Sequence, residues 1–354
     1  MRSRPATPLE TLGWDSAWEA VRATLAYHDC EPARVATQHR GGYVLFTEDG
    51  ERAAEVSGRF RHDTHVPADF PAVGDWVLQR DGVIHALLPR RTAFSRKTNL
   101  GPIEEQVAAA NVDVVFVVAA LDAEPNLRRI ERYVTVAYES GAAPVLLLSK
   151  ADLCADLGAA VMAVEAVVPG TPVHAVSART GDGLAILDTY CRPGRTAVFL
   201  GPSGVGKTTL LNVLTGTERA TAAVREDGRG RHTTTQRELV LIDGRGIVID
   251  TPGMRELQLW DADAGLSAVF ADIQALAAEC RFADCAHGAE PGCAIRAALD
   301  TGRLDAARYA GYRKLGREEA FISSKRDAQA RVEQKRQRKI FARSVRRAGW
   351  RGRD

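Results

Sequence analysis

The chain contains no apolar run approaching the roughly 20 residues needed to cross a bilayer, no internal repeat, and almost no net charge, +2 over 354 residues. The first absence excludes a membrane-spanning helix and the second a solenoid. Cysteine is scarce, and Cys30, Cys154 and Cys191 are scattered, while the other three crowd between Cys280 and Cys293. No secretory leader is legible, so a reducing, cytoplasmic setting is expected, in which disulfides are disfavoured. The near-neutral total hides an asymmetry. From Ser323 to Asp354 twelve Lys or Arg face three acids, a net +9, which leaves −7 for everything before. Such a tail reads as a polyanion contact, most simply RNA phosphate, or as a solvated helix, since Arg331, Lys335, Arg338 and Lys339 recur at helical spacing.

Against that background one stretch stands out, Gly201-Pro202-Ser203-Gly204-Val205-Gly206-Lys207-Thr208-Thr209. It fits G-x-x-x-x-G-K-[ST], with the strand-like Ala197 to Leu200 before it and a helical continuation to Leu214. Glycines let backbone N–H groups turn in on phosphate oxygens at a helix N-terminus. Lys207 is the candidate for neutralising the β and γ phosphates and Thr208 for a Mg²⁺ ligand.

About fifty residues earlier comes Ser149-Lys150-Ala151-Asp152. Asp152 can accept both N1–H and N2–H of guanine, donors that adenine lacks. Lys150 would lay its stem along the base, and Ser177-Ala178-Arg179 resembles the element whose backbone touches guanine O6. In an ordinary guanine-nucleotide switch the base-reading element follows the phosphate loop. Here it precedes it, which implies a circularly permuted GTPase binding GTP and GDP. The usual Asn at the first base-reading position is missing, replaced by Ser149, whose shorter hydroxyl is expected to weaken support of the loop.

Two further elements follow the phosphate loop. Asp250, at the end of the strand-like Gly246 to Ile249, is a second candidate Mg²⁺ ligand, and the Gly253 N–H can meet the γ phosphate. His232-Thr233-Thr234-Thr235 lies in a charged, Gly-rich segment suited to a switch loop, with Thr234 its candidate nucleotide contact. After DTPG a Ras-like switch would carry Gln. Met254 stands there instead, so His232 is the candidate for positioning the attacking water, the alternative being a loop histidine with no catalytic task. The second switch leads directly into what comes next.

That is Cys280, Cys285, His287 and Cys293, spaced C-x4-C-x-H-x5-C. Three thiolates and an imidazole make a closed tetrahedral set of the structural-zinc kind, buried thiols or a disulfide being the alternatives. At the other end, runs at Tyr43–Thr47, Arg52–Val56, Asp75–Leu78 and Val83–Leu88, split by turns, predict a small OB-like β-barrel. Arg59, Phe60, Arg61, Trp76, Arg80, Arg90, Arg91, Phe94, Arg96 and Lys97 interleave charge and aromatics there, as RNA stacking platforms or as core; Trp76 is assigned to the core. Asn126 to Ser140 reads as a helix stopped near Gly141, and Trp14 and Trp18 mark a short amphipathic helix. The expected architecture is multidomain α/β: an N-terminal extension (1–34), the barrel (35–97), a permuted P-loop GTPase domain (98–265), a mainly helical zinc-binding module (266–322) and the basic tail (323–354).

In that order these parts resemble the ribosome small-subunit-dependent GTPase A family of bacteria. The resemblance covers Arg34 to Lys325 and is carried by GPSGVGKTT, by GRHTTT at Gly230 to Thr235 and by DTPGMRE at Asp250 to Glu256. It implies a factor that binds the small ribosomal subunit and its rRNA late in maturation, hydrolyses GTP when stimulated by it, and then leaves. An RNA-binding scaffold with a structural nucleotide, or a permuted GTPase acting on the large subunit, are the other readings. The protein is expected to be monomeric off the ribosome.

Overall fold

The computed structural model describes residues 8–39, 41–97, 105–216, 237–250 and 263–324. Helix α1 (Ser16–Ala23) starts where the Asp15 side chain accepts from the Trp18 N–H at 2.9 Å. Strands β1 (Glu31–His39), β2 (Gly42–Thr47) and β3 (Gly50–Val56), helix α2 (Gly58–Asp63), and strands β4 (Trp76–Arg80) and β5 (Val83–Leu87) follow. These five strands pair in the order β1-β2-β3-β5-β4, and β4 returns to β1, so the sheet closes into a barrel without a free edge. Only β3 and β5 run parallel. Its interior is small and aliphatic: Ala33, Val35, Leu45, Val56, Val77 and Ile84. The sequence runs located β2 to β5, whereas β1 went unpredicted because Glu31-Pro32-Ala33-Arg34 lacks the apolar alternation of a half-buried strand.

The interleaved aromatics of this region are internal. Trp76 and Phe94 are each 1% exposed, and Phe60 packs edge-on against Phe70. Trp14 and Trp18 close over Trp76 from outside the barrel, with ring centroids 4.8 and 6.4 Å away. Arg90 is bound to the buried Asp75 and to the Ala68 and Phe70 carbonyls, and Arg91 to Asp15. Arg59 and Arg61 are the members of the set on the exposed α2 surface.

The hairpin β6 (Ala93–Lys97) and β7 (Glu105–Ala110) leads to the second unit: β8 (Val114–Ala120), α3 (Leu127–Glu139), β9 (Ala143–Ser149), α4 (Leu157–Glu165), β10 (Val173–Ala175), α5 (Ile186–Tyr190), β11 (Thr196–Leu200), α6 (Lys207–Thr215), β12 (Glu238–Leu241) and β13 (Ile247–Asp250). Helix α3, expected from Asn126, is capped by that residue, whose side chain accepts from the Arg129 N–H at 3.0 Å. The strand order is β10-β9-β8-β11-β13-β12, all parallel except the antiparallel β12. β11 follows β8, β9 and β10 in the chain yet lies between β8 and β13. That insertion is the permutation in spatial terms. Continuous burial of Val114 to Val118 and Thr196 to Leu200 reflects a parallel sheet covered on both faces.

Helices α7 (Asp263–Val269), α8 (Ala271–Ala278), α9 (Ala294–Asp300) and α10 (306–324) complete the described chain. α7 packs on α3. The buried Arg308 of α10 donates to Glu131 on α3, to Asp272 on α8, and to the Val167 and Val269 carbonyls at 3.0 and 2.9 Å. Arg132 on α3 reaches Glu318 on α10 at 2.6 Å.

A second buried guanidinium joins the barrel to the GTPase unit. Arg34, 2% exposed, donates to the Leu12, Gly74 and Asn111 carbonyls, one from each of three segments. Burial lowers its pKa to about 10, with Asp113 and Asp75 acting to raise it, so it stays cationic at neutral pH. Replacing it by Ala would leave the Leu12 and Asn111 carbonyls without partners, each costing ~1–3 kcal/mol, while the Gly74 carbonyl would keep its bond from Asn111 Nδ2. We expect Arg34→Ala to lower the urea midpoint sharply, whereas Arg59→Ala on the exposed α2 should leave it nearly unchanged.

Candidate functional site

In open α/β sheets the ligand crevice lies outside the carboxyl ends of the strands, where the strand order switches. Here β8, β9, β10, β11 and β13 end at Ala120, Ser149, Ala175, Leu200 and Asp250, and all run the same way. The phosphate-loop motif, SKAD, Ser177 to Arg179 and Asp250 are therefore gathered on one edge. Sequence order separates them; parallel pairing brings them together.

The loop after β11 is held by backbone geometry. Gly201 has φ +145°, and a Cβ there would lie 2.4 Å from the Val118 carbonyl oxygen of β8, so only glycine lets the loop start beside that strand. Gly206, at φ +94°, turns the chain into α6. Lys207 is the first residue of α6, and its ammonium donates to the Gly201 and Pro202 carbonyls at 2.7 and 2.5 Å, which lays the side chain back across the loop. Thr208 and Thr209, next on the helix, are exposed, as are Ser203 and Gly204. A lysine amine, a helix N-terminus and a run of turned N–H groups in this arrangement suit a polyphosphate.

Ser149 answers the missing asparagine. Its buried hydroxyl donates to the Val205 carbonyl at 2.6 Å, with the Ala119 carbonyl 3.3 Å away, so the end of β9 is tied to the phosphate loop and approaches the end of β8. The short side chain reaches because the loop comes to it. Lys150 follows in the left-handed region at φ +56°, and its ammonium pairs with Asp122 just beyond β8. Asp152 accepts from the Ser177 hydroxyl at 2.5 Å and from Arg179 Nε at 2.8 Å. The Ser177 hydrogen bond, and then Arg179, hold its carboxyl below the usual aspartate range despite opposing burial. Ala151 donates its N–H to the Val176 carbonyl at 3.2 Å, which brings the turn beginning at Ser177 and Ala178 against it. Sequence reasoning missed Asp122 and the pairing of Arg179 with Asp152, since neither contact is local in sequence. His232, Thr234 and Gly253 lie outside the described residues, as do Met254 and the basic tail.

At the far end of the chain, one ligand atom from each of Cys280, Cys285, His287 and Cys293 falls within 4.8 Å of the others. Cys280 Sγ and Cys293 Sγ are 4.0 Å apart, too far for a disulfide of about 2.05 Å. Both stand near His287 Nδ1, at 3.5 and 3.6 Å. A tetrahedron with zinc–sulfur bonds of about 2.3 Å and zinc–nitrogen bonds of about 2.0 Å has S···S edges of ~3.8 Å and S···N edges of ~3.5 Å. The cluster matches that frame. The Ala294 and Arg296 N–H groups each donate to a cluster sulfur at 3.4 Å, supplying the outer hydrogen bonds that thiolate ligands need.

Fold and site together define a phosphate-loop GTPase of circularly permuted order, with a barrel before it and a Cys/His cluster suited to zinc after it. A family model described as RsgA GTPase matches residues 87–260. The small ribosomal subunit biogenesis GTPase RsgA of Opitutus terrae is 46% identical over 351 residues, covering 94% of this chain and 96% of that protein. Its namesake in Syntrophotalea carbinolica is 44% identical over 97% of this chain and 98% of its own length. Among solved structures, YjeQ from Thermotoga maritima superposes with a TM-score of 0.60 at 26% identity, over 82% of this chain and 99% of that one. YloQ, described as a circularly permuted GTPase, gives 0.57 at 24% identity, over 86% and 97%. This chain belongs to the RsgA GTPase family, and its reaction is the hydrolysis of GTP. Among the described residues no helix is long and apolar enough to cross a membrane.

Two outcomes follow from the geometry. Ser149→Ala would strand the Val205 carbonyl, and an unsatisfied buried acceptor of this kind costs ~1–3 kcal/mol. We expect GDP affinity to fall about tenfold, read by fluorescent-nucleotide titration. Chelator-treated protein should take up one equivalent of zinc, and Cys285→Ala should abolish that uptake as measured by atomic absorption.

Proposed function

We propose that the protein is a cytoplasmic assembly factor that binds the small ribosomal subunit and its rRNA late in maturation, hydrolyses GTP under stimulation by that subunit, and then dissociates as a monomer. The observation that carries the catalytic half is the gathering of the phosphate loop, the Asp152 carboxylate and the Asp250 strand end on one sheet edge. The ribosomal half rests on relatives whose names state small-subunit biogenesis and which match this chain over nearly its full length.

In this reading Asp152 accepts N1–H and N2–H of guanine, the Lys150 stem lies along the base, and the Ala178 backbone meets O6. Residues Gly201 to Thr209 wrap the phosphates with their N–H groups, and Lys207 turns from its loop carbonyls to the β and γ oxygens. A hydroxyl from Thr208 and a carboxylate from Asp250 are hard oxygen donors that fit magnesium, with Thr234 and the Gly253 N–H completing the γ-phosphate surroundings. Bound there, Mg²⁺ supplies charge neutralisation to the phosphates. Water attacks the γ phosphorus in line, and the bond to the β-phosphate oxygen breaks. His232 orients that water in place of the glutamine that Met254 displaces. Zinc held by Cys280, Cys285, His287 and Cys293 would have four protein ligands, which suits a structural role.

Turnover of GTP and ATP with and without purified small subunits tests the proposal. GTP turnover alone should be slow and should rise with small subunits, and ATP should not be hydrolysed. Lys207→Ala should lower stimulated turnover by about 100-fold or more, within the range seen when charge stabilisation is lost from a phosphoryl transition state. If Lys207→Ala protein still supports subunit maturation, the nucleotide is structural. Preferential cosedimentation with large subunits, in a nonhydrolysable GTP analogue, would sink the small-subunit assignment.

A further inference from the structure

Arg179 is the residue at the site whose position the phosphate and base-reading motifs do not explain. It lies in a turn closed on itself: Ser177 N–H donates to the Asp182 carbonyl at 2.9 Å, Gly181 N–H to the Ser177 carbonyl at 2.9 Å, and the Thr180 hydroxyl to the Asp182 carboxylate at 2.6 Å. From this turn Ser177 loads one oxygen of Asp152, Oδ1, and Arg179 loads the other, with Nε and Nη2 at 2.8 and 2.7 Å from Oδ2. The Asp152 side chain is only 9% exposed, while that of Arg179 is 72% exposed. A largely covered carboxylate is thus fixed in plane and rotation by one rigid turn.

A carboxylate offers about four lone-pair sites. The Ser177 hydroxyl and Arg179 Nε–H claim two, and guanine brings two more, N1–H and N2–H. Four donors match the sites available, so Arg179 can keep its Nε–H contact while guanine binds.

Resting on the guanine reading of Asp152, we propose that Arg179 is a positioning residue for guanine recognition: through its Nε–H and its charge it holds the Asp152 carboxylate in the base-reading orientation while the base binds. It touches neither the phosphates nor the reacting water, so it acts on binding and leaves the chemical step alone.

The test measures GDP affinity, and the KM and kcat of GTP hydrolysis, for the full-length wild-type protein, Arg179→Ala and Arg179→Lys, with thermal midpoints as a folding check. Arg179→Ala should weaken GDP binding and raise KM by about fivefold, the upper range for an exposed charged pair, with kcat unchanged. Arg179→Lys, which restores one charged donor, should recover most of the loss. The same substitution is then made in Asp152→Asn protein and measured with xanthosine diphosphate, whose O2 accepts from the Asn amide. There Arg179→Ala should have no effect, because the carboxylate it orients is gone. An unchanged or tighter GDP affinity in Arg179→Ala, a fall in kcat without a rise in KM, or an equal loss in the Asn background would each overturn the inference while leaving the guanine reading standing. Failure of Asp152→Asn to trade guanine for xanthine would instead overturn that reading, and this inference with it.

Discussion

The pairing of β8 with β11 is the constraint on which the rest of the site depends. Ala197 to Leu200 lie in parallel register with Val114 to Val117, across some eighty residues of chain. Without that pairing the phosphate loop would have no strand beside it, and Gly201 would have no reason to tolerate the Val118 carbonyl so close. With it, the end of β9 arrives beside the loop, and the Ser149 hydroxyl can reach Val205. Permutation changes the order in which the parts are synthesised and which ends are free. It leaves the parallel register unaltered, and the register is what assembles the site.

Two buried guanidinium groups extend this core outward. Arg34 bonds to carbonyls alone, joining the first described residues, the barrel and the entry to β8. Arg308 meets two carboxylates and two carbonyls where α10 crosses α3 and α8. A buried cation is tolerated only when its donors are satisfied, and each of these is satisfied by segments distant in sequence. The barrel and the C-terminal helices are thus bonded into the GTPase unit. Residues 251–262, which follow Asp250, lead into α7, and α7 is packed against α3.

Much of the site could be read from the chain because its signals are local. The phosphate loop is nine consecutive residues between a strand and a helix, and the four cluster ligands fall within fourteen. The helix after Asn126 and most barrel strands were legible for the same reason. What escaped were non-local relations: β1, whose buried Arg34 breaks the apolar pattern; the closure of Trp14 and Trp18 over Trp76; and the pairings Lys150 with Asp122 and Asp152 with Arg179. Interleaved Arg and aromatic residues in the barrel left two readings open in sequence, an RNA-facing surface or core. The fold separates them, because the aromatics turn inward and Arg90 and Arg91 are spent on Asp75 and Asp15.

The sequence by itself determined the chemistry on offer: a lysine and glycines suited to phosphate, a carboxylate able to accept from guanine, three thiols and an imidazole suited to a metal, and the permuted order of these parts. Those properties belong to side chains and short spacings, which no packing can alter. Tertiary structure alone decided how the groups are held. Whether a serine can stand where asparagine is usual depended on how near Val205 comes, and which arginines are free depended on where the carboxylates lie. Both are distances between residues remote in the chain, and only the folded sheet sets them.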